Sequence, residues 1–346
     1  MRRYLNTLYV TTEGAWLRKD GANIVVELDG AERMRVPVHM LGGLVCVGRV
    51  SASSALLGFC AESGVTVTYL NTSGRFLARV EGPVSGNVLL RREQYRRTDE
   101  ALECAALARC FVLAKILNQR TVIRRALRDH APDMAATSLD ALEAAERRLT
   151  DTARRAQLPQ STESLRGIEG EAAQVYFAVF GYLIRGDSDT FRFEGRSRRP
   201  PLDPANALIS FLYTLLTHDC RSALETFGLD PAVGFLHRDR PGRPSLALDL
   251  LEEFRPVLAD RIALSMINRR QLDTRDFRIM ENGAVLLVDD ARKKLLTTYQ
   301  ERKKEEISHP FLGEKAPFGL MPHLQAQLLA RTLRGDLDLY PPFVWK

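Results

Sequence analysis

Cysteine is scarce in this chain: five residues in 346 (Cys46, Cys60, Cys104, Cys110 and Cys220), with no Cys-x-x-Cys pair among them. An odd count without paired spacing argues against a disulfide framework and against a zinc ribbon, and points to a reducing compartment. Long apolar runs are missing too. Even AALARCFVLAKIL (residues 105–117) is broken by Arg109 and Lys115, short of the roughly 20 apolar residues that a membrane-spanning helix needs. The opening MRRYLNTLYV is basic and then apolar, but too short and too polar for a secretory signal. The expectation is a soluble, cytoplasmic protein with no membrane attachment. GxxxxGK[ST] and GxGxxG are absent, as are HExxH and GxSxG. Nothing therefore suggests ATP consumption or a redox cofactor. Excess charge of one sign is also small. Lys and Arg number 49 against 43 Asp and Glu, a net +6, a mild lean toward a polyanionic partner.

What is present divides the chain in two, as its length leads one to expect. NTLYVTT, NIVVEL, GLVCVG and VTVTYL are short β-branched runs separated by turn signals such as DGAN and NTSG. SASSALLGFCAES interrupts them as a helix with a serine N-cap. GRFLARVEGP adds a last strand. From about Leu102 the pattern becomes helical in LECAALARCFVLAKILNQRTVIRRAL, SLDALEAAERRLTDTARRAQ and DPANALISFLYTLLTHDCRSALETF, the last with Asp203 at the N-cap and Pro204 at the first helical position. DFRIMENGAVLLV, with its Asn-Gly turn, reads as a small hairpin. The fold class is α+β in two domains: a β-rich domain over 1–83, a linker or hinge over 84–101, and a larger, mainly α-helical domain over 102–346.

Two stretches concentrate residues with chemical capacity. In GFLHRDRPGRPSLALDLLEEFRP (residues 234–256), His237 precedes a Pro/Gly-rich turn, and Ser245 is suited to cap the next helix, with Pro244 before it. Asp249 and Glu252, three apart on that helix, share a face, and the turn folds His237 back toward them. Two carboxylates and an imidazole suit Mn²⁺ or Mg²⁺, the nitrogen favouring Mn²⁺. The ordinary alternative is that early helical acids complement the dipole and the histidine is structural. In SLRGIEGEAAQVYFAVFGYL (164–183), Glu169 stands between Gly167 and Gly170, ahead of an apolar helix. The glycines either mark a turn or let another backbone or a ligand approach.

RGIEGEAAQVYF, NALISFLYTLL, GFLH and DLLEEFRP, in this order and at these separations, resemble the CRISPR-associated integrase family, the first Cas protein of spacer acquisition. NTLYV, RMRVPVHMLGGLVCVG and GVTVTYLNTSGRFLARVEG look like that family's β-domain, and GNVLLRREQY like its hinge, so the likeness spans nearly the whole chain. The resemblance implies a metal-dependent DNA endonuclease and integrase that joins the 3′-hydroxyl of a short DNA to the end of a CRISPR repeat. It implies catalytic Glu169, His237, Asp249 and Glu252, of which Glu169, His237 and Glu252 ligate Mn²⁺ or Mg²⁺. Some members carry Asp where this chain has Glu252, and neighbouring Glu253 is a weaker candidate. It also implies a homodimer through the β-domain, double-stranded DNA partners (protospacer and repeat), and assembly with the small second Cas protein.

Around these residues, Arg196, Arg198, Arg199, Arg238, Arg240 and Arg243 are candidate phosphate contacts, or else a solvated face. Asn206, Ser210 and Tyr213 share one helix face as a candidate polar patch near the metal or DNA. Two rivals stay open: a structure-selective nuclease for branched DNA in repair, and a non-catalytic DNA-binding scaffold.

Overall fold

The computed structural model describes residues 6–72, 74–80, 82, 88–185 and 190–345. It separates into two compact units. The first comprises residues 1–85, 287–306 and 317–320, the second 86–286, 307–316 and 321–346.

The first unit holds β1 (Thr7–Val10), β2 (Trp16–Asp20), β3 (Asn23–Leu28), β4 (Ala31–Pro37), β5 (Gly43–Val47), β6 (Ser51–Ala52), α1 (Ser54–Glu62), β7 (Thr66–Leu70) and β8 (Phe76–Val80). They form two four-stranded sheets, ordered β1-β5-β7-β8 and β4-β3-β2-β6. β5 and β7 are parallel and joined through α1, whose N-cap Ser53 accepts from the Leu56 amide. Leu17, Ile24, Leu44, Cys46, Leu56, Cys60 and Val67 form a shared core with no solvent exposure. Each such aliphatic side chain contributes about 1.5–3 kcal/mol on burial. Burial pushes the Cys46 thiol up to about 12 and that of Cys60 up to about 11, so both behave as small apolar groups rather than redox centres.

The second unit begins with α2 (Val88–Asp99), α3 (Ala101–His130), α4 (Ala136–Gln157), α5 (Thr162–Val179) and α6 (Pro204–Thr226). It continues through α7 (Ser245–Phe254), a wider π-helical turn over Arg255–Asp260, and α8 (Arg261–Asn268). Then come β9 (Phe277–Ile279) paired with β10 (Val285–Leu287), α9 (Asp289–Lys304, counted in the first unit), β11 (Glu306–Ser308) paired with β12 (Lys315–Pro317), and α10 (Met321–Leu333). α3 is the axis: it packs against α4, α5 and α7, with Phe111, Val112, Ala114 and Ile116 fully buried. The π turn coincides with Pro256, whose missing N–H and ring cannot continue regular i−4 bonding.

Several local expectations are met. Asp203 caps α6 by accepting from Asn206 N, with Pro204 in the first turn, and β9–β10 is the expected hairpin. Others change. Of the stretch read as a linker, residues 84–87 lie outside the described residues, and Val88–Asp99 is helix. Residues 287–306 and 317–320 return to the first unit, so the helical domain is not continuous from 102 to the end. Glu169 is not ahead of a helix but inside α5, eight residues from its N-cap Ser161. Gly167 and Gly170 make no turn, and nothing stands within 4 Å of where their Cβ atoms would be. Ser245 is the first residue of α7 rather than its cap; Pro244 holds the cap position. The serine hydroxyl instead donates to the Arg238 carbonyl at 3.1 Å, closing the Pro/Gly-rich turn.

Candidate functional site

Glu169 on α5, Lys115 on α3 and Glu252 on α7 meet inside the helical unit. The Lys115 ammonium donates to Glu169 Oε1 and lies 2.8 Å from Glu252 Oε2. That second contact is an ion pair without hydrogen-bond geometry, so Glu252 Oε2 is buried with no hydrogen bond. The Arg255 guanidinium donates to Glu252 Oε1. Burial by itself would raise the Glu252 carboxyl, but Arg255, Lys115 and His237 together hold it below the usual carboxylate range.

His237 joins from the loop before α7. Gly234 makes the approach possible: a Cβ there would lie 2.8 Å from Asp249 Oδ2 and 2.8 Å from Ser245 Cβ. With that space free, fully buried Asp249 accepts three backbone amides, Phe235 at 2.6 Å, Leu236 at 2.9 Å and His237 at 2.9 Å. It also holds His237 Nδ1 at 2.6 Å. A carboxylate facing Nδ1 makes that nitrogen the donor, which leaves the Nε2 lone pair free. Nε2 is turned toward Glu252, 3.8 Å from its Oε1. Asp249 and Glu252 are at most 1% exposed, which removes the reading of solvent-facing acids beside a helix dipole.

The expected ligands Glu169, His237 and Glu252 are thus brought to one locality, and Asp249 stands behind the histidine. As placed, no group of three His, Cys, Asp or Glu side chains among the described residues closes tightly enough to hold a metal. Lys115 fills the gap between the two glutamates, because two facing carboxylates repel unless a cation lies between them. Glu253 takes no part. Its carboxyl accepts from Tyr340 OH at 2.6 Å, Phe343 N at 2.8 Å and Gln325 Nε2 at 2.9 Å, and burial pushes it up to about 7.

The supporting residues divide. Asn206 is fully buried, accepting from Arg196 at 2.6 Å and Ser197 N at 3.1 Å and donating to Gly195 O at 2.7 Å. Ser210 also accepts from Arg196, at 3.1 Å. Both hold the loop before α6. Tyr213 donates to Asp260 at 2.8 Å and lies between two guanidiniums, Arg255 4.9 Å and Arg196 5.4 Å from its ring. Burial raises the Asp260 carboxyl to about 6. Arg198, Arg199, Arg238 and Arg240 are exposed and Arg243 half-buried; Arg238 pairs with Glu163 at 2.6 Å. Sequence reasoning missed Lys115, Arg255 and Arg166, the last donating to Leu236 O at 2.6 Å and so tying α5 to the histidine loop. The available signals were a lone lysine in an apolar helix and an arginine one helical turn after Glu252.

Comparison with known proteins identifies the family. Residues 8–301 match the family model described as CRISPR associated protein Cas1. The chain belongs to the Cas1 family. It is 59% identical to "CRISPR-associated endonuclease Cas1 2" of Rhodospirillum rubrum, with 100% of both chains covered. Its fold matches that of a casposase solved bound to an integration product, at a TM-score of 0.84 and 21% identity, over 99% of this chain and 94% of that one. It also matches a chain of a Cas6-RT-Cas1–Cas2 complex at 0.79 and 24% identity, over 99% of this chain and 36% of that one. No helix among the described residues is long and apolar enough to cross a membrane.

Proposed function

We propose that this chain is a metal-dependent DNA endonuclease and integrase of CRISPR adaptation, which joins 3′-hydroxyl ends of captured DNA to the ends of a CRISPR repeat by transesterification. The observation that carries the reading is the convergence of Glu169 and Glu252 on one cationic point beside His237, whose ring is set by Asp249. The donor set fits Mn²⁺ or Mg²⁺: two carboxylates, one with a buried oxygen lacking a hydrogen bond, and an imidazole with an available lone pair. Glu169, His237 and Glu252 would hold the ion. When bound, such a cation polarises a non-bridging phosphate oxygen and stabilises the leaving oxygen.

The protein's own contribution is placement. Asp249 fixes the His237 tautomer and ring, and Arg166 anchors the loop that carries it to the helix that carries Glu169. Arg238, Arg240 and Arg243 follow His237 directly in sequence and offer phosphate contacts. The bare surface of α5 at Gly167 and Gly170 leaves room for a DNA backbone. One phosphodiester replaces another in the transfer, so no nucleotide energy source is needed, consistent with the missing phosphate-binding loop motif. With water as the nucleophile the same site cleaves. By family, the working assembly is a cytoplasmic homodimer joined with Cas2 on double-stranded DNA.

The test is strand transfer. A labelled 3′-hydroxyl duplex and a supercoiled plasmid carrying the repeat are mixed with the protein and Cas2, in Mn²⁺, Mg²⁺ or EDTA. Metal-dependent joining at the repeat ends, abolished by Glu169→Ala and by His237→Ala, is the expected result. Nicking without joining would assign the repair-nuclease role. Binding with neither reaction under any metal would leave only a scaffold.

A further inference from the structure

Lys115, like Arg255, is a member of the cluster that neither the metal reading nor the DNA reading uses. Its side chain is 4% exposed and sits on α3 among Phe111, Val112, Ala114 and Ile116, all fully buried. A lysine in such surroundings is strongly disfavoured unless its charge is matched. Here it is matched twice, by the Glu169 carboxylate of α5 and the Glu252 carboxylate of α7. These are the two carboxylates assigned to the metal, and the ammonium stands between them. Around it, Glu169, Asp249 and Glu252 carry three negative charges against the two positive charges of Lys115 and Arg255. A divalent ion entering with Lys115 in place would set a cation against a cation at contact distance in a largely buried site, where Coulomb repulsion is screened less than in bulk water.

We infer that Lys115 is an internal surrogate for the divalent cation: its ammonium and the metal are alternative occupants of the space between Glu169 and Glu252. This rests on the metal reading of the site. In the metal-free protein Lys115 holds α5 and α7 together through their carboxylates, so the site is assembled before the ion arrives. Metal entry swings the ammonium out on its flexible stem, and the cost of that displacement sets the affinity. Lys115 is therefore a positioning residue that acts through the two glutamates and weakens, rather than strengthens, metal binding.

The experiment is Mn²⁺ binding by calorimetry on the full-length protein, comparing wild type, Lys115→Met and Glu169→Ala, with melting curves in EDTA and in saturating Mn²⁺. Lys115→Met is expected to bind Mn²⁺ about tenfold or more tightly than wild type, since no competing charge has to leave. It should also melt below wild type in EDTA and regain most of the difference in Mn²⁺, because the ion then performs the bridging. A folded Lys115→Met protein with unchanged or weaker Mn²⁺ affinity overturns the inference. A structural role alone would lower melting equally in both conditions, and that outcome overturns it as well. Should the variant fail to fold, the wild type decides: acetylation footprinting read by mass spectrometry should find Lys115 protected in EDTA and modified in Mn²⁺, and equal protection in both sinks the idea. Mn²⁺ binding that Glu169→Ala abolishes and Lys115→Met leaves unchanged removes only the surrogate role. Mn²⁺ binding to none of the three proteins removes the metal reading and the inference with it.

Discussion

Gly234 and Asp249 show how single atoms decide the site. Gly234→Ala places a methyl 2.8 Å from Asp249 Oδ2 and from Ser245 Cβ, contacts that real Cβ atoms do not make. Overpacking of this kind costs about 1–3 kcal/mol, and the groups forced aside are the ones that aim His237. The expected outcome is a lower denaturant midpoint together with a weaker Mn²⁺ titration, whereas a silent Gly234→Ala would mean that the loop has slack the geometry does not show. Asp249→Asn keeps the shape but puts an amide NH₂ where only N–H donors face it. Loss of the carboxylate that orients a metal-ligating histidine lowers metal affinity about 10–100-fold. Calorimetry with Mn²⁺ checks this, and an affinity within a factor of two of wild type would count against it.

At the scale of elements, α5 carries two glycines that lower its stability. Two glycines inside a helix each cost about 1 kcal/mol relative to alanine, and here no neighbour stands within 4 Å of either Cβ position. Gly167→Ala and Gly170→Ala are therefore expected to raise the melting temperature of the helical unit, each by about 2–4 °C. If the bare surface serves DNA approach, the same changes slow strand transfer while stabilising the protein. Stabilised variants with full transfer activity would show that the glycines have no part in DNA access. α7 is built on the opposite principle. Its carboxylates at 249, 252 and 253 are buried, and each faces a separate set of groups: the loop amides and His237 for the first, Lys115 and Arg255 for the second, and Gln325, Tyr340 and Phe343 N for the third.

Across the whole helical unit, the last residues work as a strap. Asn118 on α3 donates to Phe343 O at 2.8 Å and to Glu253 O at 2.7 Å, and accepts from Trp345 N at 2.8 Å. Tyr340 and Phe343 N complete the bonding of Glu253. Truncation after Leu339 strips these partners from buried groups, each orphan costing about 1–3 kcal/mol. The expected result is a fall of several kcal/mol in unfolding free energy and, because α7 carries Glu252, a loss of metal affinity; a truncated protein with wild-type stability would refute the strap. His309 adds a pH dependence. Its Nδ1 accepts from Phe311 N at 3.3 Å and Leu312 N at 3.2 Å while Nε2 contacts Gln325 at 2.8 Å, and burial lowers its pKa from 6.5. A base with a depressed folded pKa binds fewer protons folded than unfolded, so its contribution is present above pH 6.5 and lost as the pH falls through the lower folded value. Melting curves across that acid window should show a slope that His309→Gln flattens.

The sequence by itself determined the α+β class, the order of a β-rich region before a helical one, the Asp203–Pro204 helix start and the Asn-Gly hairpin, though not that the helices begin at Val88. These depend on local periodicity, capping and turn chemistry, which a short window of residues carries. It also supplied Glu169, His237, Asp249 and Glu252 as a set, because their motifs resemble one family in order and spacing. Only the tertiary structure decided what surrounds them. Lys115 precedes Glu169 by 54 positions, and no window joins them until α3 packs against α5. Gly234 looks like any turn glycine until the chain is seen folded onto Asp249. Glu253 stands beside Glu252 in the string as a weaker candidate, and one residue of helical rotation sends it into the strap instead of the site. Charge pairing, orphaned oxygens and close approach arise between elements, and packing alone brings them together.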